Sequence, residues 1–276
     1  MKRIINYLRQ KMPYGWLCFI REVKAWVLIK KTILLSHKND LVLIYQSGKV
    51  GSVSFVNAID GLSNVTCLHV HRINREHIRS RRMIAKSKGW RYEAGDENGF
   101  ALYPYLNRFS SIKMICPIRE PISANASAFF QNITRMKTVD FYNLSDINKE
   151  KYFIEHWTHL DADEWFDKEL KSIAGIDVYA SSFDVHAGYK VFKNKNFECL
   201  VLYHDLPDEV KSEITSNFLG KEVRIRHEHS SADKAYASDY KKVLKEVLED
   251  EEYCRNMRSQ RYYQHFYKNR QSASSL

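Results

Sequence analysis

The sequence predicts an α/β fold, a P-loop-like parallel sheet flanked by helices, with extra helices at both ends. Three observations carry this. Five short apolar runs do not alternate with polar residues, longer helical stretches separate them, and a loop rich in Gly, Lys and Ser follows the first run directly. Continuous apolarity suits strands buried on both faces, and strand–helix–strand order closes such strands into a parallel sheet.

Residues 1–40 read as a basic amphipathic helical segment. Its apolar stretch, 14–35, is cut by Arg21, Glu22, Lys24, Lys30 and Lys31 into pieces shorter than the ~20 apolar residues a spanning helix needs. What remains is a helix with Trp16, Phe19, Ile20, Trp26 and Ile29 on its apolar side, suited to packing on its own domain or to peripheral contact with a membrane surface. The α/β domain follows over 41–270, without internal repeat or linker, and the polar residues 271–276 read as a disordered tail.

Within the domain the expected strands are 41–45 (LVLIY), 65–70 (VTCLHV), 112–118 (IKMICPI), 176–179 (IDVY) and 199–203 (CLVLY). Helices are expected over 53–60, 75–88, 123–136, 149–171 and 208–218, with two more, 232–248 and 251–267, closing the chain. In an open sheet of this kind ligands sit beyond the carboxyl ends of the strands, so the loops after Tyr45, Val70 and Ile118 are the places to search.

Composition narrows the partners. The chain has 276 residues with 44% hydrophobic residues, enough for a sizeable core, which excludes a disordered chain. A formal net charge of +10 predicts an anionic partner: a nucleotide, an acidic polymer or an anionic membrane surface. The five cysteines are scattered and form no CxxC pair, which points to a reducing, cytoplasmic compartment, with the N-terminal helix available for peripheral contact at the inner membrane.

The segment Ser47-Gly48-Lys49-Val50-Gly51-Ser52-Val53-Ser54 follows the first strand and opens a helix. Its glycines permit a tight turn, the N–H groups at the helix start point at an anion, and Lys49, Ser52 and Ser54 add a cation and hydroxyls. A Walker A loop requires a Gly where Leu43 stands and a hydroxyl where Val50 stands. The second departure removes the Mg²⁺-holding hydroxyl, which disfavours an ordinary ATP or GTP machine.

Lys49, Gly51, Ser52 and Ser54 after a first strand resemble the 5′-phosphosulfate loop of sulfotransferases that use 3′-phosphoadenylyl sulfate (PAPS). That family's 3′-phosphate site is an arginine after a later strand and a serine eight residues on; Arg119 and Ser127 have this spacing, with Pro121 suited to a first helical turn. The segments 164–170, 175–179, 233–236 with Tyr240, and His265-Phe266-Tyr267 are similar to bacterial capsular polysaccharide synthesis proteins, a sulfotransferase-like group. This chain departs from that group at Ser230-Ser231, where an Asn is usual, and at Ala235, where a Trp is usual. By analogy with the late basic element of sulfotransferases, Lys234 is a third candidate for the 3′-phosphate.

The resemblance implies PAPS as cofactor, no metal, and sulfonate transfer to a hydroxyl of a carbohydrate acceptor in bacterial capsule or surface polysaccharide biosynthesis. Lys49 would stabilise the leaving phosphate, and the acceptor's base is sought after the second strand, where His69, His71, Glu76 and His77 cluster. His71, at the strand's carboxyl end, is the first choice because an imidazole titrates near neutrality; Glu76 is the second. His156, His159, Asp161 and Asp163, and also His227 and His229, reproduce no recognised metal-ligand spacing. The terminal Arg255, Arg258, Arg261, Tyr262, Tyr263 and Tyr267 read as a helix closing the fold and not as a nucleic-acid surface. Two rivals remain: a nucleotide or sugar kinase using the loop for ATP, and a non-enzymatic anion-binding protein of capsule assembly.

Overall fold

The computed structural model describes residues 14–35, 40–87, 96–133, 141–157, 159, 162–226 and 236–270. Lys234, His227, His229 and the tail 271–276 lie outside the described residues, as do the side chains of Asp161 and Asp163.

Helix α1 (Tyr14–Leu35) leads into β1 (Asp40–Tyr45), α2 (Ser52–Ile59), β2 (Val65–Val70), α3 (Arg75–Ser87) and α4 (Glu97–Leu102), which continues as a 3-10 turn, Tyr103–Arg108. Then come β3 (Ile112–Ile118), α5 (Pro121–Asn132), α6 (Asp146–His156) and α7 (Ala162–Trp165), which runs into a π turn, Phe166–Lys171. The antiparallel pair β4 (Tyr189–Asn194) and β5 (Phe197–Tyr203) follows, then α8 (Asp208–Leu219), α9 (Ala237–Glu249), α10 (Glu251–Ser259) and α11 (Arg261–Phe266).

The five strands form one sheet in the order β2-β1-β3-β5-β4, parallel except at the β4 edge. The expectation of an α/β sheet flanked by helices is therefore met, and the all-parallel arrangement expected is departed from at β4, which pairs antiparallel with β5. Alternate strand residues feed two layers. Leu41, Leu43, Tyr45, Met114, Cys116, Val201 and Tyr203 pack with α1, α4, the π turn and α11. Val42, Ile44, Ile115, Leu200 and Leu202 pack with α2 and α8 on the other face. A third apolar cluster, centred on Phe129, Phe130, Phe153 and Val243, joins α5, α6, α9 and α10 beside the sheet.

Chain direction reverses at β1: the first crossover goes to β2 on one side, the next to β3 on the other. That makes the crevice beyond the carboxyl ends of β1 and β3 the topological switch point, where α/β sheets bind ligands.

Several expectations are corrected. Residues 176–179 are not a strand: Ile176 and Val178 are apolar because they are buried in the core, and the Asp177 carboxylate accepts from Tyr179 N to start a 3-10 turn. The sheet's remaining strand is β4, whose YKVFKN alternation, with Phe192 its one buried side chain, fits a half-exposed edge. The helix expected over 149–171 breaks after His156, where Trp157 turns extended, and resumes at Ala162. That expected over 251–267 breaks at Gln260 (φ −60°, ψ 143°).

The apolar side read for the first helix is divided. Ile29 is fully buried and Trp26 packs on the core, whereas Trp16 and Phe19 face solvent.

Candidate functional site

The loop between β1 and α2 is shaped by backbone conformations that L side chains avoid. Gly48 (φ 118°), Lys49 (φ 62°) and Gly51 (φ 69°) have positive φ while Val50 between them does not. A left-handed Lys costs on the order of 1 kcal/mol, the sort of strain that clusters at functional loops. A Cβ on Gly48 or Gly51 would meet nothing within 4 Å, so both glycines border open space. No side chain caps α2, which leaves the N–H groups of its first turn for an anion.

Buried Gln46 roots the loop. Its Oε1 accepts from Gly48 N, which fixes the amide's orientation, and its Nε2 lies 3.1 Å from Ser52 Oγ, 3.0 Å from His69 Nε2 and 3.1 Å from His71 Nδ1. Ser52 Oγ is in turn 3.1 Å from His69 Nε2, and His71 Nδ1 is 3.3 Å from the Gln46 carbonyl. Two amide protons face three acceptors. Assigning His71 Nδ1–H to the Gln46 carbonyl leaves those protons for Ser52 and His69, and puts the basic lone pair of His71 on Nε2. Burial, with the neighbouring His71 second, lowers the His69 pKa to about 4, so that ring stays neutral.

Across the switch point, Arg119 leaves β3. Its guanidinium donates to the Lys49 carbonyl (3.2 Å), to Ser123 Oγ (3.2 Å) and to Tyr240 Oη (3.2 Å). Tyr262 Oη donates to the Arg119 carbonyl at 2.9 Å. The Lys49 ammonium bonds Gln131 in the last turn of α5. Glu120 caps α5 by accepting from Ile122 N and Ser123 N.

Not every expected residue converges. Ser54 Oγ donates to the Gly51 carbonyl and Val53 is exposed. Ser127 is buried on α5, with no hydrogen bond to Arg119 or the loop among the described residues. Val50 is buried, so the position after Lys49 serves the core. Glu76 is exposed on the first turn of α3, at a cavity of about 600 Å³ that it shares with Asn74, Arg75, Arg79, Tyr103 and Asn107. The second strand's four candidates thus divide: His69 and His71 join the phosphate-type loop, Glu76 the cavity, and His77 a buried network.

That network was not foreseen as such. Glu169, fully buried on the π turn, accepts from Tyr45 Oη (2.5 Å), Ile73 N (2.7 Å) and Asn74 N (3.0 Å), and lies 2.6 Å from His77 Nδ1. Burial and Glu169 push the Tyr45 phenol well above its usual range. Trp165 Nε1 donates to the His71 carbonyl at 2.8 Å, and Arg72 pairs with Asp96 at 3.3 Å. The residues from His71 to Asn74 are therefore held by three partners, Trp165, Asp96 and Glu169.

His204, just past β5, is another residue that sequence reasoning missed. Burial, with Arg119 second, lowers its pKa to about 4. His156 stacks on Tyr152, and His159 lies 2.9 Å from Tyr253 Oη, which gives both packing roles.

Residues 148–268 match the family described as "Putative capsular polysaccharide synthesis protein". The matched part contains Trp165, Glu169, Tyr240 and Tyr262, the residues that hold the His71 loop and Arg119; the Lys49 loop precedes it. No curated protein and no solved structure matches the chain.

Proposed function

We propose that the protein transfers a sulfonate from PAPS to a hydroxyl of a carbohydrate, in the synthesis of a bacterial capsule or surface polysaccharide. The observation that carries this reading is the Arg119–Lys49 contact, which brings the two sequence elements that resemble a 5′-phosphosulfate loop and a 3′-phosphate site to one crevice. The matched family supports the polysaccharide context. The open space at Gly48 and Gly51, the uncapped α2 and the two cations fit a ligand with several negative charges.

PAPS, when bound, supplies the sulfonate, whose bond to the 5′-phosphate oxygen breaks as the acceptor oxygen bonds to sulfur. Lys49 and the first-turn N–H groups of α2 offset the charge left on that phosphate. Arg119 holds the 3′-phosphate, and His71 takes the acceptor proton at Nε2, the tautomer set by the Gln46 carbonyl. The rigid 71–74 loop keeps that ring in place. The cavity runs from Asn74, three residues past His71, to Phe197 at the amino end of β5. Its mixture of Asn, Arg, Glu and Tyr suits the hydroxyls and ring face of a sugar.

Calorimetric titration with adenosine 3′,5′-bisphosphate, beside ATP with Mg²⁺, tests the reading on the wild type, Lys49→Ala and Arg119→Ala. Bisphosphate binding in the wild type, weakened at least ten-fold in both variants, is expected. Absence of bisphosphate binding in the folded wild type overturns it; ATP binding would then favour the kinase, and binding of neither the non-enzymatic reading.

A further inference from the structure

Helix α1 has two apolar faces, and the domain uses one. Ala25, Ile29 and Ile33 are buried in the core, on the side where α1 packs on α4. The salt bridges Arg21–Glu97 (3.9 Å) and Glu22–Arg82 (2.6 Å) fix that side to the domain. Glu22 is the helix's sole acidic residue, so its one negative charge is turned inward.

The other face is exposed. Trp16, Phe19, Val23, Val27 and Leu34 succeed one another at intervals of three, four, four and seven residues, the spacing that keeps side chains on one face of a helix. Their exposures run from 44% to 66%, far above what a packed face shows. Lys24, Lys30 and Lys31, all exposed, are interleaved with them. Lys2, Arg3, Arg9 and Lys11 precede the helix in the sequence.

We infer that this outer face of α1 docks on an anionic lipid bilayer, lying in the interface. No helix among the described residues is long and apolar enough to cross a membrane. Aromatic and aliphatic side chains enter the headgroup boundary while lysines meet anionic headgroups, and Trp16 and Phe19 are side chains that favour that depth. Charge selects this occupant over a second copy of the chain. Self-association through this face would bring two sets of Lys24, Lys30 and Lys31 together, whereas anionic lipid neutralises them.

Co-sedimentation of the full chain with vesicles tests the inference independently of the proposed reaction. Pelleting is expected with vesicles containing phosphatidylglycerol and not with phosphatidylcholine alone, and it should fall as salt is raised. Val23→Asp with Val27→Asp alters side chains that already face solvent; it is expected to keep the melting temperature and to weaken binding at least ten-fold. Should the pair lower the melting temperature, Val27→Asp alone gives the same comparison. Reversing Lys24, Lys30 and Lys31 to Glu should cost about five-fold per residue or more. No binding of the wild type to anionic vesicles, equal binding to neutral ones, or binding indifferent to the Asp substitutions would overturn the inference. So would a concentration-dependent dimer, seen by sedimentation velocity, that Val27→Asp abolishes in a protein that ignores vesicles.

Discussion

The Arg119 guanidinium donates to the main-chain carbonyl of Lys49 across 3.2 Å, joining the loop after β1 to the loop after β3. The two residues are seventy positions apart in sequence and meet because β1 and β3 are adjacent parallel strands whose carboxyl ends share the switch point. Arg119 also reaches Ser123 and Tyr240, so three parts of the chain converge on one planar cation.

Substituting Arg119 therefore has two separable effects. Arg119→Lys keeps the charge and loses the fork that serves three acceptors at once. It is expected to lower stability by about 1 kcal/mol in urea unfolding, and to speed amide exchange at Lys49 and Val50. Arg119→Ala also removes the charge. Under the proposed function it weakens adenosine 3′,5′-bisphosphate binding more than Arg119→Lys does, and calorimetry on both variants checks the order.

Gly99 sits where α4 crosses the loop after β2. A Cβ there would lie 1.7 Å from the Arg72 carbonyl oxygen and 2.8 Å from its carbon, both backbone atoms that no rotamer change can move. Gly99→Ala must push α4 off the 71–74 loop or distort that loop. A loss of about 3 kcal/mol is expected in denaturant unfolding, at the high end for single substitutions. Unchanged stability would mean that α4 and the loop are not in contact.

Acid should weaken the fold through two histidines. His69 and His204 take up a proton at an ordinary 6.5 when unfolded and at about 4 when folded, each chiefly because burial disfavours the charged ring. Between these values the unfolded chain binds more protons, so stability rises with pH. It is complete above about pH 6.5 and falls as the pH drops toward 4. The loss for His69 reaches about 3 kcal/mol at the bottom of that window. Urea midpoints from pH 7 to pH 4 should therefore decline less steeply in His69→Gln than in the wild type, and equal slopes would refute the burial argument.

Much of this arrangement is legible in sequence because it is local. β1, β2, β3 and β5 are continuous apolar runs, and the loop after β1 announces itself by two glycines and a lysine. The run at 176–179 misleads because burial alone makes residues apolar, whether or not they pair: Ile176 and Val178 fill the core from a turn. Gln46 escapes notice because a glutamine after a strand has no local signature. Its value lies in reaching residues from two other segments, Ser52 of α2 and His69 of β2. Glu169 shows the same limit more sharply. The segment that carries it is recognisable, but its partners Tyr45, Ile73, Asn74 and His77 lie about a hundred residues earlier and only the fold assembles them.

Glu169 also yields the strongest stability prediction. Its two oxygens meet four groups in a site without water access: Oε2 accepts from the Tyr45 hydroxyl and the amides of Ile73 and Asn74, while Oε1 faces His77 Nδ1. Glu169→Gln has nearly the same shape. With its oxygen in the Oε2 position it still serves Tyr45, Ile73 and Asn74, and its NH2 donates to His77 once that ring adopts the tautomer with a bare Nδ1. The cost is weaker hydrogen bonds, about 1.5 kcal/mol. Glu169→Leu fills the volume and leaves two main-chain N–H groups, a phenol and an imidazole without a partner, each a buried polar group that costs about 1–3 kcal/mol when orphaned. Its loss is expected to exceed about 4 kcal/mol. Because Ile73 and Asn74 lie two and three residues after His71, Glu169→Leu should also speed amide exchange across 71–74 at denaturant concentrations where the sheet still protects β1 and β3. Equal stability of the Gln and Leu variants would mean that Glu169 contributes packing alone, and the network would then have no part in holding the His71 loop.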